Sequence, residues 1–259
     1  MLGSIESGPL PAAPEASYDV SSPLRTRAHA WAVGRYGVLL GGLLLLAIAY
    51  PVAAERGPID DWVPDLLFLI VLLSSLSSAL RRKALLVGMI GLVLVNQFAK
   101  HAGVSVGMSP SGAFEVQLWS SMLFFSLTVG VILADVLRAG VVTVDRMLGA
   151  AAVYLLLALT FALAFTLVHH AQPGALTMPD AVRASLHERH AALSVFWYFS
   201  MTTLTTIGYG DIVPANALAR GLATLEAAFG QLYLAIIVAR LVSLQLMNQA
   251  PPPPGGPPV

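Results

Sequence analysis

The stretch Thr205-Thr206-Ile207-Gly208-Tyr209-Gly210-Asp211 decides how the rest of the chain is read. Along an ordinary strand successive residues face opposite sides. Aiming a whole run of carbonyls at one axis requires backbone that alternates between left- and right-handed conformations, and Gly208 and Gly210 accept the left-handed one without strain. Such a run offers a cation a ladder of fixed oxygens in place of its hydration shell, which mobile side chains cannot do. Thr206 adds a hydroxyl at the lower end of the ladder, and Asp211 adds a carboxylate at the mouth, where it attracts cations. The flanks agree. Val195 to Leu204 is an apolar run too short to cross a bilayer, and Ala217 to Leu246 is a long apolar run with Gly230 inside it.

From about Ala192 to Leu246 the chain resembles the potassium-channel pore family, whose pattern is a pore helix, T-x-G-Y-G-D and an inner helix. A lone G-Y-G is an ordinary glycine turn; its place between a half-length and a full-length apolar helix carries the resemblance. The resemblance implies that Thr206, Ile207, Gly208, Tyr209 and Gly210 bind potassium as the permeant ion, with no cofactor, and that Thr205, Asp211, Tyr198 and Trp197 support them. In the family an aromatic pair, often two tryptophans, surrounds the filter. The aligned pair here is Tyr198 and Phe199, with Trp197 one place earlier, so Tyr198 stands where an indole usually bonds the filter aspartate, and its hydroxyl can donate to Asp211. Thr202 stands where some bacterial members keep a carboxylate behind the filter. These departures leave potassium coordination intact and bear on slow filter inactivation.

The resemblance also assigns the inner helix. Gly230 matches the family's hinge position, where a missing side chain lets the helix bend; close helix packing is the other use of a glycine in a membrane helix. By helical period Gln231, Leu234, Ala235, Val238 and Val242 line the cavity and inner gate. Glu226 is a carboxyl deep in an apolar run, expected to face the protein and either bond to the pore helix or stay protonated. One chain supplies one filter where the oxygen cage needs four, so a homotetramer is expected.

Composition sets wider bounds. With 57% hydrophobic and 11% charged residues and a mean hydropathy of +0.77 over 259 residues, the chain is too apolar for a soluble domain of its size. Its formal net charge is zero and no basic block follows aromatic spacing, so nothing points to nucleic acid. The absence of cysteine excludes disulfides, thiolate metal sites and a cysteine nucleophile. No enzyme site emerges.

Apolar runs of about membrane length cover Tyr36 to Ala54, Pro64 to Leu80, Ala84 to Ala99, Gln117 to Leu137, Leu148 to Val168 and Ala217 to Leu246. The expected fold is therefore all-α: six transmembrane helices plus a re-entrant pore helix and selectivity-filter loop, assembled as a homotetrameric channel in the cell membrane among its lipids. Arg25, Arg27 and Arg35, then Arg81-Arg82-Lys83, then Arg138 and Arg146 mark the regions expected to be cytoplasmic. An even number of spans puts both termini inside and sends the filter loop in from the outer face. Residues 1–24 read as a disordered cytoplasmic tail without a cleaved signal, 25–138 as a four-helix sensor-like domain, 139–248 as the potassium-channel pore domain and 249–259 as a Pro/Gly-rich cytoplasmic tail.

Six-span channels often carry a voltage sensor with arginine at every third position of the fourth helix. Gln117 to Leu137 has none, and its one charge, Asp135, reads as a local partner of Arg138. Asn96 and Gln97 read as interhelical hydrogen-bonding groups. His169, His170, His187 and His190 gather before the pore helix in what reads as a solvated extracellular loop, with a proton or metal sensor as the functional alternative. Three other functions fit parts of the sequence. They are a cation channel of the same fold that does not separate potassium from sodium, a subunit of a potassium uptake transporter, and a non-conducting membrane scaffold. Such transporters resemble four pore repeats fused in one chain, whereas this sequence has one.

Overall fold

Long apolar runs with polar caps at their ends dictate the architecture. The computed structural model describes residues 34–54, 66, 69–71, 83–103, 105–138, 143–186 and 189–249. The helices are α1 (Arg35–Ala54), α2 (Lys83–His101), α3 (Pro110–Val136), α4 (Val144–Ala171), the short α5 (Asp180–Ser185), α6 (Arg189–Leu204) and α7 (Ala217–Gln249). Between them, β1 (Leu176–Thr177) pairs antiparallel with β2 (Val213–Pro214). Among the described residues four helices are long and apolar enough to cross a membrane: α2, α3, α4 and α7 as far as Arg240. The expected second span, Pro64 to Leu80, lies outside the described residues except for Leu66, Leu69, Ile70 and Val71, which are helical. Both expected tails, apart from Gln249 at the end of α7, and His187 lie outside them too.

Local chemistry sets the helix ends. At α3 the Ser109 side chain accepts from Gly112 N at 3.1 Å, and Pro110 occupies the first turn, where its missing N–H is not needed. At α4 Thr143 accepts from Arg146 N at 3.3 Å, and Asp145 lies in the first turn, where the helix dipole favours an anion. Each cap contributes about 1 kcal/mol. The first cap moves the start of α3 from the expected Gln117 back to Pro110, so this helix carries Glu115 as well as Asp135. The polar run Ser111, Gly112 and Glu115 hides that start from a hydropathy reading.

Packing centres on α4, which lies against α1, α3, α6 and α7, while α2 packs on α3. Of the membrane-length stretch of α4, 56% is buried, against 17% for α7, although both are strongly apolar. Leu156, Leu159 and Phe165 of α4 meet Phe196 and Phe199 of α6 in the core, with the Phe165 and Phe199 rings edge to face at 4.8 Å. Between α2 and α3 the buried Asn96 donates to Gln117 O at 3.1 Å and to Ser121 Oγ at 2.8 Å. An amide placed against a facing helix avoids an unsatisfied group in hydrocarbon and contributes roughly 1 kcal/mol.

At the opposite end from the Thr205–Asp211 loop, Tyr36 draws three helices together. It is fully buried against Gly149, where a Cβ would lie 2.9 Å from its ring. Its hydroxyl donates to Asp135 Oδ2 at 2.9 Å, and its amide donates to Asp145 Oδ1 at 3.1 Å. Asp135 thus serves a contact across the bundle to α1. Nearby, Arg240 of α7 donates to Arg138 O at 2.7 Å, tying the far part of α7 to the end of α3.

The segment between α4 and α6 is more ordered than a solvated loop. His169 and His170 belong to the last turn of α4, where the helix carbonyls favour basic groups. β1 and α5 follow, and α6 begins at Arg189, earlier than the apolar run from Val195 suggests.

Candidate functional site

The site is built where α6 ends. Thr202, Thr203 and Thr205 turn their hydroxyls back onto the carbonyls of Phe199 and Met201, and Ile207 N and Gly208 N both donate to Thr202 O, at 2.9 and 3.1 Å. These bonds close the last turn and release the chain. Beyond them the backbone alternates: φ is +60° at Thr206, +54° at Gly208 and +80° at Gly210, while Ile207 and Tyr209 are outside the left-handed region. A Cβ built on either glycine meets nothing within 4 Å, so conformation and not space is what requires glycine there. At Thr206 a β-branched residue adopts the same conformation at about 1–2 kcal/mol of strain. Residue-type reasoning looked for that conformation at the glycines alone. The signal for Thr206 was positional, since 206, 208 and 210 share one period of two.

Ile207 is 56% exposed and Tyr209 is 70% exposed on the single chain. At the outer end the Tyr198 hydroxyl donates to Asp211 Oδ2 at 2.9 Å, and the Tyr198 and Tyr209 rings are parallel to within 3° at 6.3 Å. Desolvation raises the Tyr198 phenol above its ordinary value, and its bond to Asp211 adds to the shift. Trp197 and Phe199 are buried in the core on the other side of α6.

The chain leaving the loop is pinned. β2 pairs with β1 in the register Leu176 with Pro214 and Thr177 with Val213, and Ala215 N donates to Ala175 O at 2.8 Å. Asn216 then caps α7 by accepting from Ala219 N at 2.8 Å, while its amide donates to Gln172 at 2.6 Å. The histidines lie beside this frame: His170 is 3.6 Å from Glu115 and edge-on to Phe114, and His169 lies near Phe196. Among the described residues no group of three His, Cys, Asp or Glu is placed to hold a metal ion.

Tyr198→Phe tests the outer end. The bond to the Asp211 carboxylate is exposed, so solvent offsets part of it and removing the hydroxyl costs about 1 kcal/mol. The expected result is a lower thermal midpoint with the helices retained by circular dichroism. An unchanged midpoint would show that solvent replaces the bond.

Below the loop, three helices meet at paired positions one turn apart. Tyr154 and Ala158 come from α4, Ser200 and Leu204 from α6, and Glu226 and Gly230 from α7. The Tyr154 hydroxyl donates to Leu204 O at 3.0 Å, and Gly230 lies directly behind that same carbonyl, which a Cβ would strike. Ser200 Oγ is 2.6 Å from Ala158 O and bonds Glu226 Oε1, with Glu226 fully buried. On α7 the buried face runs through Ala219, Glu226, Gly230 and Ile237. Gln231, Leu234, Ala235, Val238 and Val242 lie outside it and are exposed on the single chain. Tyr154 and Ser200 escaped the sequence reading. Their signal was weak but physical: a hydroxyl inside an apolar helix must find a partner.

No curated protein and no solved structure matches the chain. Residues 153–245 match the family model described as "Ion channel"; the matched stretch runs from α4 through the alternating loop to the far part of α7, in a mostly helical chain with four described helices long and apolar enough to cross a membrane.

Proposed function

We propose that the chain is the subunit of a homotetrameric potassium channel that conducts potassium passively through a filter formed by residues 206–210. The observation that carries this reading is the alternation of φ at Thr206, Gly208 and Gly210 inside the segment that matches ion channels. Four such loops around an axis would turn their carbonyls inward as successive oxygen rings, matched to a dehydrated monovalent cation. α6 is then the pore helix. Its C-terminal end at Leu204 directs a partial negative charge toward the ion, and Asp211, held by Tyr198, sits at the outer mouth.

Assembly follows from what the single chain leaves uncovered. α7 is buried over only 17% of its membrane-length stretch, and its exposed face carries Leu234, Val238 and Val242, which would line the cavity and inner gate once four copies meet. The tetramer and surrounding lipid are the partners this reading requires. Arg138, Arg146 and Arg240 lie at the end opposite the loop, which supports reading that end as the cytoplasmic one in a cell-membrane protein, with both termini on that side as the even number of expected spans implies.

The test is flux from liposomes holding the purified protein, followed by reversal potentials in mixed potassium and sodium. A potassium-selective reversal potential is expected. Equal permeability would make this a weakly selective cation channel, and no flux would leave a scaffold.

The same reading predicts weak voltage dependence. A charge crossing the whole field exchanges about 2.3 kcal/mol per 100 mV, and steep gating needs several per subunit. α3 has no arginine, and its Glu115 and Asp135 sit toward opposite ends of the helix. Open probability in symmetric potassium should therefore vary shallowly with voltage and respond to the permeant-ion concentration. A steep curve unaffected by the permeant ion would reveal a sensor elsewhere.

A further inference from the structure

Ser200 has one hydroxyl proton and two close oxygen neighbours, the carbonyl of Ala158 at 2.6 Å and the carboxyl of Glu226. The Ala158 carbonyl can only accept. If Glu226 were ionised, both neighbours would be acceptors competing for one proton, and one lone pair would face another inside the bundle. Glu226 is fully buried and its second oxygen, Oε2, has no partner among the described residues. Among the described residues an ionised carboxylate there would lack both a compensating cation and a full set of donors, whereas a neutral acid leaves unpaired only a weak acceptor. The arrangement is satisfied when Ser200 donates to Ala158 and Glu226 donates to Ser200.

Position gives that proton its consequence. Glu226 and Gly230 are one turn apart on α7 and meet Ser200 and Leu204, one turn apart on α6. Leu204 directly precedes the loop. Resting on the channel reading, we propose that Glu226 is a positioning residue that works as a neutral acid: its proton fastens the inner helix to the last turn of the pore helix, and ionisation releases the filter's lower support. An ionised Glu226 would also face the negative end of the pore helix, so release is the direction in which the charge pushes.

The phenols on the elements packed around it are already engaged, Tyr154 of α4 with Leu204 O, Tyr198 of α6 with Asp211 and Tyr233 of α7 with Ala150 O, and the other titratable groups of those elements lie toward the helix ends: Asp145, Arg146, His169 and His170 of α4 and Arg189 and His190 of α6. On its own helix Arg220 and Arg240 donate to the carbonyls of Pro214 and Arg138. All remain in Glu226→Gln, whose amide supplies a donor to Ser200 but no titratable proton. A pH response that belongs to a phenol survives this substitution; one that belongs to Glu226 does not.

The experiment compares the full-length wild type and Glu226→Gln, reconstituted in liposomes, by infrared spectroscopy, thermal unfolding and potassium flux from neutral to alkaline pH. Should the Glu226→Gln protein fail to assemble, Glu226→Met removes the proton at similar length. The expected wild-type spectrum has a protonated-carboxyl band at neutral pH that the variant lacks. Flux should fall at least tenfold per pH unit beyond the midpoint, the slope for loss of one required proton and steeper if several of the four subunits must keep theirs, and stay flat in the variant. Because the folded state holds the proton, the stability it adds is present at low pH and lost as pH rises through the folded-state midpoint. A missing band overturns the proposal, and so does an identical alkaline loss in both proteins. If neither protein conducts at any pH, the channel reading fails. The latch is then decided by the band and the unfolding midpoint: alkaline destabilisation of the wild type alone supports it, and equal behaviour overturns it.

Discussion

On the proposed channel reading, alanine in place of Gly230 is expected to lower the stability of the assembly and to reduce potassium flux at least tenfold. The added Cβ strikes the Leu204 carbonyl oxygen and lies 3.0 Å from Leu204 Cδ1. The side chain can turn away, but the carbonyl is backbone at the end of α6 and is held by Tyr154 at 3.0 Å. Relief must come from moving α7 away from α6, or from moving Leu204 and the loop that starts one residue later. Overpacking of this kind costs about 1–3 kcal/mol per site, and the proposed homotetramer would meet it four times. Thermal midpoint and flux of the reconstituted protein decide the matter. If Gly230 serves only as a hinge, the midpoint stays at the wild-type value while opening alone changes; that outcome would remove the packing argument. The continuous helix from Ala217 to Gln249 and the close approach at Leu204 favour packing.

The features legible in the sequence were those with a local physical cause. Apolar runs long enough to span hydrocarbon located α1, α2, α3, α4 and α7, because no partner is needed to decide that such a run is helical in a membrane. The glycine spacing at 208 and 210 announced left-handed backbone for the same reason. Features that depend on partners distant in sequence were hidden. Asp135 lies three residues from Arg138, yet it takes the hydroxyl of Tyr36, which is 99 residues away. Ser200 is an ordinary hydroxyl in sequence, and only the fold brings it against Ala158 and Glu226. Helix starts were misread where capping chemistry outweighed hydropathy, as at Ser109-Pro110, and the histidines at 169 and 170 read as loop because their polarity concealed the last turn of α4. Thr206 shows the limit of residue-type reasoning. Its left-handed φ is imposed by the alternation on either side, against the preference of a β-branched side chain.

On the same proposed reading, Gly208→Ala is expected to abolish potassium selectivity in a protein that still assembles. The glycine lies at φ +54° with open space around its missing Cβ, so alanine fits sterically with its neighbours and is opposed by backbone conformation alone. That opposition is about 1–2 kcal/mol per residue, or roughly 4–8 kcal/mol around a ring of four. The loop already carries strain at Thr206, and its two ends are fixed by the bonds to Thr202 O and by the β1–β2 pairing, so it cannot relax by shifting as a unit. The remaining relief is rotation of the peptide planes beside residue 208, which turns carbonyls away from the axis. Loss of one oxygen ring removes part of what replaces the ion's hydration shell. Because α6, α7 and the core are untouched, native mass measurement should still find the wild-type assembly, while the reversal potential in mixed salts moves toward equal permeability for sodium. A control separates conformation from bulk: a D-alanine introduced at 208 by semisynthesis carries the same methyl group but accepts positive φ, and should restore selectivity. Wild-type selectivity in folded Gly208→Ala would show that residues 206–210 do not form the ion ladder, and the channel's selectivity would then have to be sought outside this loop.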